Sequence, residues 1–482
     1  MNAARGFALA CLLAATPLES GAQPTSSPCR LTTAWLPGVA AECAMLRVPE
    51  SWAEPDGPAI ELRVARVASL NPEPRPDPLL VIAGGPGQGS VDFYLSLRAA
   101  FEQIRRDRDI LLVDQRGTGA SAPLRCEPAD AAVLEEADAS ALPALMRACL
   151  EELSGDPRDY TTSAAVRDLE AVREALGIAQ WNLYGISYGT RVAQHYLRRH
   201  PQRARALILD GVAPSDVPLG PDVARHAQAA LDRILERCAA DASCAAAFPD
   251  LASRLPPLLE RTALDPVTVT LADPLSGRIE TRRLTRDKLA SALRLLSYAP
   301  QSAALLPLLI DAADRGNLAP ITAQAEMVAA ELGTALSLPM HNAVVCTEDV
   351  PFYAADAAAG LDATYLGATI VAALSAACSV WPRGRLDADL REPLVAAKPV
   401  LLLSGELDPI TPPAYAERVL AGLAAARHLV GIGQGHGLAA VGCVPRLMRT
   451  FLEGLDPASL DASCLERETA SPFFLDFNGP AP

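Results

Sequence analysis

The chain has 482 residues, half of them hydrophobic, and a formal net charge of −15. That length suits one large domain with an insertion and a substantial buried core. An acidic balance with no basic cluster argues against nucleic acid and anionic lipid as partners, and beyond the N-terminal stretch no run approaches transmembrane length.

In chain order, Met1 to Gly6 carries a basic residue, Arg5, and precedes an apolar stretch, Phe7 to Ala15, that is too short to span a bilayer. Ser20-Gly21-Ala22 then offers a small-residue cleavage site. Residues 1–22 read as a signal peptide, so the protein is expected to be exported, periplasmic or extracellular, with no membrane contact after the leader is removed. Cys11 sits inside the apolar stretch, too early for a lipoprotein anchor. Of the 11 cysteines, removal of Cys11 leaves an even set, which fits an oxidising compartment. Sequence alone leaves their connectivity open. The simplest expectation is sequential pairing, Cys29 with Cys43, Cys126 with Cys149, Cys238 with Cys244, Cys346 with Cys378 and Cys443 with Cys464, because each pair closes a short local loop. No paired C-x-x-C occurs and the histidines are scattered, so no metal is expected.

Ile60 to Val67 alternates as a strand, and the proline-rich Asn71 to Pro78 reads as a stiff connection. Leu79 to Ala83 and Asp109 to Val113 are apolar strands. The first runs into Gly84-Gly85-Pro86-Gly87, a loop able to aim the Gly85 N–H at an oxyanion. The second runs into Asp114-Gln115-Arg116-Gly117-Thr118-Gly119, where Asp114 and Arg116 read as braces for neighbouring loops. Thr162 to Leu176 forms an amphipathic helix with Val166, Leu169, Val172 and Leu176 on one face. The strand Trp181 to Ile186, with Trp181 and Tyr184 as core packing, leads through Gly185-Ile186-Ser187-Tyr188-Gly189 into a helix, Thr190 to Arg199. Ala206 to Asp210 is the next strand. Strands alternating with helices predict a mostly parallel sheet covered on both faces.

After Pro214 the rhythm changes. Residues 215–395 are rich in alanine and leucine at helical spacing and read as a mainly helical cap, with a small hairpin from Val267 to Leu271 and Arg278 to Leu284. The sheet rhythm returns in residues 396–482, with strands Lys398 to Gly405 and Arg427 to Ile432. The core is therefore split into a first part, residues 23–214, and this second part.

Gly-x-Ser-x-Gly between a strand and a helix is a nucleophile elbow: the serine must stand clear on a strained turn, and flanking glycines permit that turn. Asp408, just past a strand end, and His436, in the flexible Gly433-Gln434-Gly435-His436-Gly437 loop, follow in the chain order Ser, Asp, His used by α/β-hydrolases. In this reading His436 takes the Ser187 proton and Asp408 orients the imidazole and stabilises its charged form. Glu406 is the alternative acid and His341 the competing histidine. Thr411 reads as the cap of the following helix. The N–H groups of Gly85 and Tyr188 would form the oxyanion hole.

Together, Gly84-Gly85-Pro86-Gly87, Asp114 to Gly119, Gly185 to Gly189, Asp408 with Thr411-Pro412, and Gly435-His436-Gly437 resemble the prolyl aminopeptidase and tripeptidyl aminopeptidase group of α/β-hydrolases. The likeness runs from about Leu79 to Leu438. Ala83 stands where prolyl aminopeptidases usually carry histidine, and Tyr188-Gly189-Thr190 is closer to the tripeptidyl branch. The resemblance implies a secreted serine hydrolase that needs no cofactor and releases short units from peptide N-termini through an acyl-enzyme. A carboxylesterase or small-amide hydrolase on the same triad is the alternative. It also places an acidic residue after Cys346, which makes Glu348 and Asp349 candidates for binding the substrate amine, since a desolvated ammonium needs a carboxylate partner.

Overall fold

The computed structural model describes residues 25–33, 37–126, 139–272 and 276–480. The expected signal peptide, residues 1–22 with Cys11, lies outside these segments.

Short, largely apolar runs become fully buried strands. Leu79–Ile82 (β4), Ile110–Val113 (β5), Trp181–Ile186 (β6) and Val400–Gly405 (β10) are buried at every position, as a sheet covered on both faces requires. With β7 (Ala204–Asp210) and β11 (Ala426–Gly431) they form a parallel array in the order β5-β4-β6-β7-β10-β11. Three strands, β1 (Ser27–Leu31), β2 (Val39–Pro49) and β3 (Ala59–Val67), extend its β5 edge in antiparallel fashion to nine strands. β1 and β2 escape the sequence pattern because half-exposed positions carrying alanine, cysteine, arginine and glutamate give little β-branched signal.

The period-two geometry of the strands divides the core between two faces. Leu79, Val81, Leu112, Tyr184, Ile208, Leu401 and Leu403 point to one side, against helices Ser90–Arg105 and Val444–Gly454. Leu80, Ile82, Leu111, Leu183, Leu207, Leu209 and Leu402 point to the other, against helices Thr162–Ala175, Tyr188–Arg199 and Pro413–Leu420.

Between β7 and β10 the chain is largely helical, from Val223–Ala240 to Thr369–Cys378, with the hairpin Val267–Ala272 (β8) and Ile279–Leu284 (β9). Much of this insertion packs around a core of its own. One helix departs from that pattern. Leu338–Glu348 sends Met340, Ala343 and Val344 into the packing beneath the parallel sheet, so the last part of the insertion belongs physically to the hydrolase body.

All five sequential disulfides are formed. Cys29–Cys43 fastens β1 to β2, and Cys346–Cys378 ties helix Leu338–Glu348 to helix Thr369–Cys378. Such a set fits an oxidising compartment. No helix among the described residues is long and apolar enough to cross a membrane.

Candidate active site

β6 ends at Ile186 and is followed by Ser187, whose φ of 55° and ψ of −125° are unusual for a residue with a side chain. The elbow helix, Tyr188–Arg199, starts at the next residue. The turn is so close that a Cβ on Gly185 would strike the Gly189 carbonyl, and one on Gly189 would lie 2.5 Å from the Ile82 oxygen. Both glycines are therefore steric requirements. Ser187 is pinned through its own N–H to the Asp210 carbonyl at 2.9 Å, yet its side chain remains half-buried and reachable.

Tyr188, as the first helical residue, has an N–H with no intrahelical acceptor and lies at the positive end of the helix dipole. The loop after β4 comes alongside: a Cβ built on Gly84 would stand 3.0 Å from Ser187 Cβ and 3.7 Å from Oγ. Gly85 follows with φ of 105°. Among the described residues, neither the Gly85 nor the Tyr188 N–H donates to a backbone carbonyl, which leaves both available to a substrate oxygen.

Because β10 and β11 run parallel to β6, the loops that follow them emerge on the elbow's edge of the sheet. His436 Nδ1 lies 2.8 Å from Asp408 Oδ2. A carboxylate only accepts, so Nδ1 carries the proton and Nε2 presents a lone pair. Asp408 is itself fixed by the N–H groups of Ile410 and Thr411, both at 2.9 Å from Oδ1, and by the Thr411 hydroxyl at 2.8 Å from Oδ2. Burial lowers the basicity of His436, but the charge and hydrogen bond of Asp408, with a contribution from Asp210, outweigh it and move the pKa above the ordinary imidazole value. Ser187 Oγ makes no hydrogen bond among the described residues; contacts of this kind often tighten only with substrate present.

The alternatives separate cleanly. Glu406 binds Arg233 and accepts from the Gly433 N–H at 2.8 Å, so it does not orient His436. His341 contacts the Pro86 carbonyl at 3.3 Å and, among the described residues, has no carboxylate hydrogen-bonded to its ring. Thr411 departs from its expected capping role: Pro412 is the N-cap of helix Pro413–Leu420, while the threonine hydroxyl donates to Asp408 and lies 3.1 Å from His436 Nδ1. Asp114 accepts from the Val91 and Ala120 N–H groups, and Arg116 forms a two-pronged pair with Asp168 at 2.6 Å. Both are buried braces.

Glu348 and Asp349, the candidates for a substrate amine, sit among internal partners. Both are fully buried. Glu348 accepts from the Thr162 N–H and hydroxyl, each at 2.7 Å, and the same hydroxyl meets the Tyr188 hydroxyl at 2.7 Å. Burial, partly offset by Arg191 and Thr162, raises the Glu348 pKa to about 7. Asp349 accepts from Arg191 at 2.9 Å and from the Leu219 N–H at 2.8 Å. The physical reason is the entry of helix Leu338–Glu348 into the core: its terminal acids become internal counter-ions for Arg191 on the elbow helix. Asp349→Ala would strip Arg191 of its closest partner and is expected to destabilise the fold by roughly 3–5 kcal/mol, read by chemical denaturation. An unchanged midpoint with a weakened preference for free amines would return Asp349 to the substrate.

Two contributors carry no local sequence signal. Asp210, at the end of β7, accepts from the N–H groups of Leu438 and Ala439 and from the Tyr184 hydroxyl, which anchors the chain after His436. Tyr298, from the cap, accepts the His436 N–H on its carbonyl at 2.7 Å and sets its ring edge-on to the imidazole with centroids 5.2 Å apart. By contrast, a groove of 440 Å³ lined by Glu42, Arg66, Pro78 and Asp109 lies at the opposite edge, where the parallel strands begin, and includes none of these residues.

An elbow serine, an Asp–His pair and two open amide donors on one sheet edge define the site of a hydrolase. A family model described as alpha/beta hydrolase fold matches residues 77–440, and the chain belongs to that family. It is 32% identical over 188 residues to a tripeptidyl aminopeptidase of Streptomyces coelicolor, covering 36% of this chain and 35% of that one. It is 28% identical over 299 residues to serine protease Hip1 of Mycobacterium tuberculosis, covering 57% and 54%. The chain thus spans about half or less of these curated relatives. Among solved structures, a proline iminopeptidase of Mycobacterium smegmatis is 17% identical with a TM-score of 0.38, over 86% of this chain and 97% of that one.

Proposed function

We propose that the protein is an exported serine hydrolase that releases short units from peptide N-termini through an acyl-enzyme on Ser187. The observation that carries the chemistry is the 2.8 Å contact between His436 Nδ1 and Asp408 Oδ2 on the same sheet edge as the strained elbow serine. His436 Nε2 takes the Ser187 proton as Oγ attacks the carbonyl, and the N–H groups of Gly85 and Tyr188 receive the oxyanion. The imidazolium then returns the proton to the leaving amine, and water repeats the sequence on the acyl-enzyme. No cofactor takes part. The relatives named as a tripeptidyl aminopeptidase and a serine protease support peptide substrates, and the five disulfides support export.

One observation favours the second reading, a carboxylesterase or small-amide hydrolase. Glu348 and Asp349 are buried and hydrogen-bonded within the protein, with Asp349 Oδ2 alone of their carboxylate oxygens lacking a partner among the described residues. Matched mono-, di- and tripeptidyl chromogenic amides with free and acetylated N-termini separate the two readings, with Ser187→Ala as the blank. The exopeptidase reading expects Ser187-dependent cleavage of free-amine substrates alone, at one preferred length. Equal cleavage of acetylated substrates, or activity on esters alone, would move the protein to the second reading.

A further inference from the structure

The cap segment that precedes helix Leu338–Glu348 is docked on the oxyanion loop. Leu336 forms an antiparallel bridge with Gln88, and the Ser337 N–H donates to the Gly87 carbonyl at 2.9 Å. One turn into the helix, His341 Nδ1 reaches the Pro86 carbonyl at 3.3 Å. A carbonyl can only accept, so this contact fixes the tautomer: Nδ1 carries the hydrogen and the neutral ring offers Nε2 as an acceptor. Burial holds the His341 pKa below the ordinary imidazole value, against smaller upward contributions from the Pro86 carbonyl and Asp349, which keeps the ring neutral near pH 7. Among the described residues Nε2 has no hydrogen-bond partner, and it is not one of the solvent-sealed polar atoms. The side chain is half-buried and open at that end.

The position relative to the reacting carbonyl matters as much as the lone pair. Pro86 is the residue after the Gly85 donor, and Gly84 lies against Ser187. Adding the backbone step from the Gly85 nitrogen to the Pro86 oxygen, the 3.3 Å contact and the width of the ring places Nε2 within roughly 12 Å of the oxyanion donor, no more than about four extended residues of a bound chain. An acceptor at that reach is near enough to meet a bound substrate chain, and the backbone donors such a chain offers are N–H groups.

We infer that His341 is a specificity-determining residue whose Nε2 accepts a hydrogen bond from an N–H on the acyl side of the substrate. This rests on the hydrolase reading of Ser187, and it holds for either leaving group, an amine or an alcohol. The site then discriminates substrates by an acyl-side N–H as well as by the scissile bond.

The test uses substrate pairs that differ only in one acyl-side N–H, replaced by N-methyl or by an ester oxygen at the first, second or third position. Each pair is prepared both as a nitroanilide and as a nitrophenyl ester. Asparagine is the informative substitution, because its side-chain amide can reproduce the Nδ1 donor to Pro86 while supplying nothing at Nε2. The wild-type protein is expected to favour the N–H member of one pair by about tenfold in kcat/KM, the size of one lost hydrogen bond. In His341→Asn that ratio should fall towards one, chiefly through KM. His341→Gln, which gives up the Pro86 contact, should lower kcat for both members alike. A ratio that survives in His341→Asn, or no discrimination in any wild-type pair, overturns the inference. The ratio is internal to each preparation, so partial loss of folded protein leaves it readable. Turnover of the nitroanilides judges the peptidase reading separately, since the ester series reports on His341 even if amides are not cleaved.

Discussion

Ser187→Ala is expected to abolish turnover, with a loss on the order of 10⁶ in kcat for a triad that acts as a unit, while the fold stays intact. The second half of that expectation follows from the local structure. The elbow is shaped by close approaches around Gly185 and Gly189 and by the Ser187 N–H to the Asp210 carbonyl, none of which uses the serine hydroxyl. Among the described residues that hydroxyl has no hydrogen-bond partner to lose. Its removal therefore deletes the attacking atom and little else. A purified, folded alanine variant retaining a substantial fraction of wild-type turnover would place the nucleophile elsewhere.

Asp408→Asn is expected to lower kcat by about 10³ to 10⁴, and its pH profile identifies the cause. The reaction needs His436 neutral, so activity falls as pH drops through the imidazole pKa. In the wild-type protein that pKa is raised, because Asp408 favours the charged ring by more than burial disfavours it. The acid limb should thus lie above the ordinary imidazole range. With asparagine the charge is gone while burial remains, so the limb must move to lower pH as the rate falls. Asparagine can also turn its amide hydrogens toward Nδ1 and impose the wrong tautomer, which leaves no lone pair at Nε2. A lower rate with an unmoved limb would mean that another group sets the protonation of the base. Retention of wild-type kcat would remove Asp408 from the site altogether.

Most of the parallel sheet was legible because its strands are brief, largely apolar runs punctuated by glycine and proline. The catalytic edge was legible for a related reason. Ser187 follows β6 directly, while Asp408 and His436 lie in the short loops after β10 and β11, and parallel strands bring those ends together without any knowledge of loop paths. What escaped was decided by contacts between distant segments. Asp210 looks in sequence like the last residue of a strand, and only the returning chain at Leu438 and Ala439 gives its carboxylate a task. Tyr298 reaches His436 from the cap, through its backbone carbonyl and its ring, a pairing of segments far apart in the chain that no local pattern announces.

Glu348 and Asp349 stand out in the sequence through the resemblance and the neighbouring Cys346, and the helix that leads to them tells more. Pro339, Met340, Ala343, Val344, Val345 and Cys346 are all buried, as are Asn342 and Thr347, and only Leu338 and His341 keep contact with solvent. A helix so largely buried carries the acids at its end inside with it, and they then need internal cations. Arg191, only four residues beyond Ser187, meets that need.

The most direct test of Ser187 as the nucleophile is covalent labelling with a fluorophosphonate, followed by intact mass and peptide mapping. The structure predicts one adduct per chain, on Ser187, absent from Ser187→Ala and slowed in Asp408→Asn, with a labelling rate that falls on the same acid limb as turnover. An adduct on any other residue, or no adduct on protein that is folded and turning over substrate, would contradict it.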